Sequence, residues 1–143
     1  MDKLLLANQV CFPLYALSRQ VTALYRPLLE KLDLTYPQYL VLLLLWETDR
    51  VSVSDIGDRL LLDSGTLTPL LKRMEQKGLI SRTRNPADER QVTIQLTESG
   101  RALQEQALNV PTDLQASLNL GNEPLIALRV QLQTLLDQIS VIK

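Results

Sequence analysis

The segment from Asp63 to Thr97, DSGTLTPLLKRMEQKGLISRTRNPADERQVTIQLT, constrains the fold more than any other part of the chain. Within Ser64–Lys77, apolar residues recur at Leu67, Leu70, Leu71 and Met74, the i, i+3, i+4, i+7 spacing of a single buried helical stripe. The opposite face keeps Thr66, Thr68, Lys72, Arg73 and Gln76 for something outside the fold. Asp63 or Ser64 supplies the N-cap, and Gly78 marks the C-terminal stop. After it, Leu79–Arg84 and Gln91–Leu96 read as strands, with Val92, Ile94 and Leu96 alternating against Thr93 and Gln95. The Asn-Pro-Ala-Asp-Glu-Arg link between them reads as a turn. A short basic helix followed by a hairpin is how a protein offers one helix to a DNA major groove and a β-ribbon wing beside it.

Charge bears on that expectation in two opposite ways. The net charge of -1 and the acidic isoelectric point argue mildly against a nucleic-acid partner. Between Lys72 and Arg90, however, six basic residues (Lys72, Arg73, Lys77, Arg82, Arg84, Arg90) face three acidic ones (Glu75, Asp88, Glu89), so this segment carries +3 and the remainder -4. DNA responds to the field within about 8–10 Å, so the local excess outweighs the total. A charge run is also what any solvated face looks like, and the segment alone does not separate the two readings.

The rest of the chain reads as helices. Val10–Leu32 carries Leu14, Leu17, Val21, Leu24, Leu28 and Leu32 on one face. Thr35-Tyr36-Pro37-Gln38 matches a capping box with Pro in the first turn, so a second helix runs from there to about Glu47, its apolar run Leu40–Trp46 fitting a fully buried element. Val51–Val53 is a short extended piece, and Ser52–Leu61 a third helix with Ile56 and Leu60 inward and Gly57 permitting close approach. Thr97 caps a helix running towards Pro111, where it should bend or break. Asn122–Ile142 closes the chain with a leucine-rich stripe from Leu125 to Ile142. The expected fold class is therefore mostly α with a small β-hairpin wing: a winged helix-turn-helix over 35–100, with helical regions 1–34 and 101–143, all in one domain of ordinary size. Two recognition helices about one helical turn (~34 Å) apart need a dimer, so the terminal helices are read as dimerisation elements; packing within the protomer is the plainer alternative.

Composition removes several kinds of chemistry. One cysteine and no histidine exclude an intramolecular disulfide and serine–histidine or cysteine–histidine nucleophile machinery, and make thiolate or imidazole metal cages implausible. No cofactor or metal is expected. The chain has no apolar run of membrane-spanning length and no hydrophobic leader, so a cytoplasmic location is expected.

With these residues in view, the chain resembles the MarR family of winged-helix repressors over essentially its full length. The run Asp88-Glu-Arg90-Gln-Val-Thr-Ile94-Gln-Leu96-Thr97 fits that family's D-x-R-x-x-x-hydrophobic-x-L-T wing signature. Within the family the resemblance narrows to the organic-hydroperoxide repressors (OhrR). It lies in Asn8-Gln-Val-Cys11-Phe, Leu24-Tyr25-Arg-Pro-Leu-Leu, Leu34-Thr-Tyr36-Pro-Gln-Tyr39-Leu, Leu44-Leu45-Trp46-Glu47 and Leu62-Asp63-Ser64-Gly65-Thr66-Leu67-Thr68-Pro69. The resemblance implies a homodimer on operator DNA whose N-terminal cysteine is a peroxide sensor, its thiolate held by tyrosine hydroxyls of the partner subunit. On that basis Cys11 is the redox sensor and Tyr25 and Tyr36 the stabilising tyrosines, with Tyr15 a weaker candidate. Since there is no second, resolving cysteine, the resemblance is to the one-cysteine subgroup, whose sulfenate is captured by a low-molecular-weight thiol or overoxidised.

The residues supply a physical rationale. Pro13 fits only a first helical turn, which puts the Cys11 sulfur near the positive end of a helix dipole, and phenol donors would add to thiolate stabilisation. Pro13 also departs from the helix former expected there in relatives, and would alter how Cys11 is presented. For a lone cysteine among Leu, Val and Phe the structural alternative is a small buried hydrophobe, and for the tyrosines ordinary core packing. On DNA, Ser64, Thr66, Thr68 and Lys72 are candidates for the major groove, Arg73 for a phosphate and Arg90 for the minor groove, with Asp88 bracing Arg90 and Arg82 and Arg84 read as solvated wing residues. Two other functions compete: a repressor released by a small aromatic ligand with Cys11 structural, and a thiol peroxidase enzyme. One cysteine and no histidine make poor turnover machinery for the second.

Overall fold

In the structure, a computed structural model describing residues 1–140, helix α1 spans Cys11–Glu30 after two short 3-10 turns at residues 2–4 and 6–8. Pro13 falls in its first turn, where a missing N–H costs nothing. Helix α2, Tyr36–Glu47, opens on a complete capping box: the Thr35 hydroxyl accepts from the Gln38 amide and Gln38 Oε1 accepts from the Thr35 amide at 3.1 Å. Apolar almost all round, α2 runs through the middle of the core, with Val41, Leu42, Leu44 and Leu45 buried. Burial of Leu40–Trp46 is not complete, because Leu43 remains 40% exposed.

Helix α3, Val53–Leu60, is capped by Ser52 and turned into α4, Ser64–Gln76, through Leu61 in a left-handed conformation (φ 56°). Gly57 lets the connection pass close, since a Cβ there would lie 3.0 Å from the Leu62 carbonyl. Asp63 is the α4 N-cap, its Oδ1 accepting from the Thr66 amide at 2.8 Å. The stripe Leu67, Leu70, Leu71, Met74 is buried as its spacing predicts. Gly78 ends the helix with φ 77°, donating to the Glu75 carbonyl while Leu79 donates to Met74.

Strands β2, Ile80–Asn85, and β3, Asp88–Leu96, form an antiparallel hairpin. Its turn is shorter than the composition of the link suggests. The regular ladder runs to Arg84 and Val92; after a register shift Asn85 pairs with Asp88 around Pro86 and Ala87, and the Asn85 carboxamide accepts from the Ala87 amide. The sheet also has a third strand: β1, Val51–Ser52, pairs with β3 at Ile94 and Thr93, giving the order β1-β3-β2.

Helix α5, Glu98–Gln106, begins at the Thr97 cap and stops before Pro111. Pro111 therefore breaks nothing. It lies in the first turn of a further helix, α6, Val110–Leu118, where proline is tolerated. Helix α7, Asn122–Ser140, follows; Ile142, the last residue of the expected stripe, lies outside the described residues. The chain divides into two compact units, residues 1–110 and the residues from Pro111 onward. In the first, α2, α4, β2, β3 and the end of α1 share one core. In the second, α7 leaves Ile126, Val130, Leu132, Leu135, Leu136 and Ile139 substantially exposed.

Candidate nucleic-acid interface and tyrosine cluster

Burial of the α4 stripe leaves Ser64, Thr66, Thr68, Lys72 and Arg73 all exposed, spread over the rest of the helix surface. The hairpin is fastened to that helix. Arg82 donates from Nε to Glu75 Oε1 at 3.1 Å, and its Nη2 lies 3.0 Å from the same oxygen. Arg82 is exposed, as its sequence context suggests, and is also a strut between wing and recognition helix. Arg90, 96% exposed, stands at the turn end of β3. Asp88 Oδ1 accepts from the Arg90 amide at 3.1 Å and lies 3.6 Å from its Nε. Between wing and helices is a cleft of about 350 Å³ lined by Ser52, Ser54, Thr68, Arg82, Arg90 and Gln91 among others. Ser52 and Ser54 escape the sequence reading, because nothing in a local pattern says that the start of α3 faces the wing.

The wing base is held from below. Asp49 Oδ1 accepts from the Leu96 and Arg50 amides, each at 2.9 Å, and Oδ2 from Arg101 at 3.1 Å. Burial alone would raise this carboxyl, but the Leu96 amide, the Arg101 guanidinium and the Arg50 amide together hold its pKa below the ordinary carboxylate value. Gly100 admits α5 against the start of the hairpin, since a Cβ there would meet the Leu79 carbonyl oxygen at 2.2 Å. Its carbonyl accepts from Trp46 Nε1 at 2.9 Å.

The second feature is aromatic. Tyr25 and Tyr36 stand 4.6 Å apart between ring centroids, and Tyr39 completes the group at 5.9 Å from Tyr25 and 6.4 Å from Tyr36. Tyr39, spaced i, i+3 from Tyr36 on α2, is 2% exposed and also packs edge-on against Trp46. Burial, then the neighbouring Tyr36 and Tyr39, push the Tyr25 phenol well above its ordinary pKa, and burial raises Tyr36 likewise. Phenols whose ionisation is suppressed keep their O–H bonds and stay donors. Both rings line a cleft of about 370 Å³ with Thr22, Arg26, Glu30 and Thr35.

Cys11 is exposed at the N-terminus of α1, as is Tyr15, whose ring is covered by Arg19 at 4.5 Å. Fourteen residues of continuous helix separate Cys11 from Tyr25, about 21 Å at 1.5 Å per residue. One protomer therefore brings Tyr25 and Tyr36 together but not Cys11 to either. Among the described residues no cluster could hold a metal ion, and no helix is long and apolar enough to cross a membrane.

A helix-turn-helix with an outward polar and basic second helix, and an arginine-tipped hairpin pinned to it, defines a DNA-binding regulator of the winged-helix class. Comparison with known proteins narrows that class. The family described as transcriptional regulator SarA/Rot matches residues 23–107. The organic hydroperoxide resistance transcriptional regulator of Bacillus subtilis is 53% identical over 95% of this chain and 92% of its own length. Among solved structures, reduced AbfR bound to DNA, from a protein of Staphylococcus epidermidis, is 39% identical with a TM-score of 0.77, covering 94% of this chain and 93% of that one. A mutant of Escherichia coli MarR complexed with operator DNA is 29% identical with a TM-score of 0.80, covering 89% and 93%. The chain belongs to the MarR family of winged-helix transcriptional regulators, in its organic-hydroperoxide regulator branch. It is a regulator of that kind and not an enzyme, which disposes of the thiol peroxidase alternative.

Proposed function

We propose that this regulator works in the cytoplasm as a homodimeric repressor that leaves its operator when Cys11 is oxidised by an organic hydroperoxide. The observation that carries the proposal is the separation along α1: an exposed cysteine lies about 21 Å of helix from Tyr25, whose ring stands beside Tyr36, so that a second chain is the natural way to bring thiol and phenols together. The apolar side chains that α1 leaves in solvent at Phe12, Leu14 and Leu17, with Val10 just before it, give such a pairing something to bury. Protonated Tyr25 and Tyr36 of one subunit then donate to the Cys11 thiolate of the other. The thiolate attacks one peroxide oxygen, the O–O bond breaks, and the alkoxide leaves as an alcohol after taking a proton, so sulfur is oxidised to sulfenic acid as the peroxide is reduced. With no second cysteine in the chain, a small cellular thiol displaces water from the sulfenic acid to give a mixed disulfide, or further peroxide overoxidises it.

On DNA, Ser64, Thr66, Thr68 and Lys72 meet base edges in the major groove, Arg73 a phosphate, and Arg90 the minor groove, with Asp88 bracing Arg90. A gel shift with and without cumene hydroperoxide tests the switch. Wild type should lose its operator on oxidation, and Cys11→Ser should bind equally in both lanes. Peroxide-driven release of Cys11→Ser would leave Cys11 a structural residue and favour a small-ligand trigger.

A further inference from the structure

The tyrosine pair lies at the start of α2, and the surface that meets DNA lies on α4. Most of what joins these helices is apolar packing, which is non-directional and tolerates small shifts. One contact is different. Lys77, the C-cap residue of α4, reaches back to the corner between α1 and α2, donating to the Asp33 backbone carbonyl and, at 3.2 Å, to Gln38 Oε1, with Asp33 Oδ2 at 3.5 Å. Each of these partners is tied to the tyrosine corner. Gln38 is 4% exposed, and the same Oε1 accepts from the Thr35 amide in the capping box that encloses Tyr36. Asp33 holds a left-handed backbone (φ 55°) that turns the chain from α1 into α2, a conformation uncommon outside glycine. At its other end Lys77 precedes Gly78, whose carbonyl accepts from the Thr97 hydroxyl at 2.6 Å, so the ammonium stem is anchored at the junction of recognition helix, wing and α5.

We infer that Lys77 is a positioning residue: its ammonium, bound to Asp33 and Gln38, ties the tilt of the recognition helix to the first turn of α2 and so to Tyr36. Three acceptors converge on one partly buried cation, so a shift of the α2 start must either stretch charge-assisted hydrogen bonds or pull α4 with it. The inference rests on the oxidation-driven release proposed above and adds the route by which it reaches α4.

The test measures operator affinity of full-length protein, reduced and after cumene hydroperoxide, for wild type, Lys77→Met, Lys77→Arg and Asp33→Asn. Asp33→Asn removes only a carboxylate charge at a position whose left-handed backbone asparagine accepts, and it remains informative should Lys77→Met not fold. The readout is the ratio of oxidised to reduced Kd, which a merely structural role would leave unmoved once the protein is folded. Lys77→Met should keep reduced-state affinity within a few-fold and lower the ratio by at least about fivefold, the lower end of ordinary coupling between distinct sites. Lys77→Arg should recover most of the ratio, and Asp33→Asn should shift it in the same direction as Lys77→Met. A ratio that falls less than this in every folded variant overturns the inference. A wild type that keeps its operator after oxidation overturns the proposed function, and this route with it; release by wild type and by Lys77→Met alike overturns the route alone.

Discussion

Residues 36–107 and residues 10–17 lie in the same compact unit and solve opposite problems. The first stretch closes on itself: every apolar residue of the α4 stripe is buried, both hairpin strands are paired, and Asp49, Arg82 and Trp46 fasten its parts by directed bonds. The second carries Val10, Phe12, Leu14 and Leu17 at the start of a helix and leaves all four in solvent, beside an exposed cysteine. A surface that reads DNA must hold its shape before DNA arrives, so its contacts are internal. A sensor that depends on a second chain, as proposed for Cys11, would leave its contacts open. On the proposed function, internal fastening goes with the reader and dependence on a partner with the sensor.

The harshest way to break that contrast is at Gly100. Gly100→Ala drives a Cβ into the Leu79 carbonyl, and should destabilise the unit by about 3 kcal/mol, near the upper end for overpacking. Thermal melting should show it as a fall of roughly 10 °C in Tm; an unchanged melt would mean that the α5 seat is softer than described. Leu17→Asp probes the other region. It should leave helix content intact yet weaken self-association by about a hundredfold, because a carboxylate would have to enter an apolar contact. Sedimentation should then show a protomer where wild type sediments as a pair, and equal behaviour would remove α1 from the interface. The mildest change is Arg90→Ala, which should cost operator affinity about 1–3 kcal/mol and flatten the salt dependence by about one ion. Unaltered affinity at fixed salt would take the wing tip out of the minor groove.

Much of the reader is legible in the sequence because its determinants are local. The buried α4 stripe, the Asp63 and Thr35 caps, and the alternation from Val92 to Leu96 each fall within a few helical turns or one strand. What the sequence hides depends on pairing or on distance. Val51–Val53 reads correctly as extended, but two strand residues are too few for a period to show that Val51 and Ser52 join the sheet by pairing with Ile94 and Thr93. The turn reads as six residues because Asn85 and Asp88 favour turns by composition; the regular ladder does end at Arg84 and Val92, but after a register shift Asn85 and Asp88 still pair across the tip. Pro111 reads as a breaker but opens a helix, since the same residue is costly inside a helix and harmless in its first turn. Arg82 and Lys77 count only as charge in a local pattern; their partners lie 7 and 39–44 residues away, beyond its reach. For the sensor, the resemblance points to Cys11, Tyr25 and Tyr36, while the geometry adds Tyr39 to the cluster and shows how far α1 carries the thiol from the phenols.

That distance has a consequence for inheritance within the pair. In the proposed dimer each α1 serves as a beam with its thiol in one sensor and its Tyr25 in the other, so no sensor belongs to a single chain. A chain lacking Cys11 and a chain lacking the Tyr25 hydroxyl would each form a dead pair alone. Mixed, they would leave one sensor doubly broken and the other whole, so that two defective copies restore between them what neither holds.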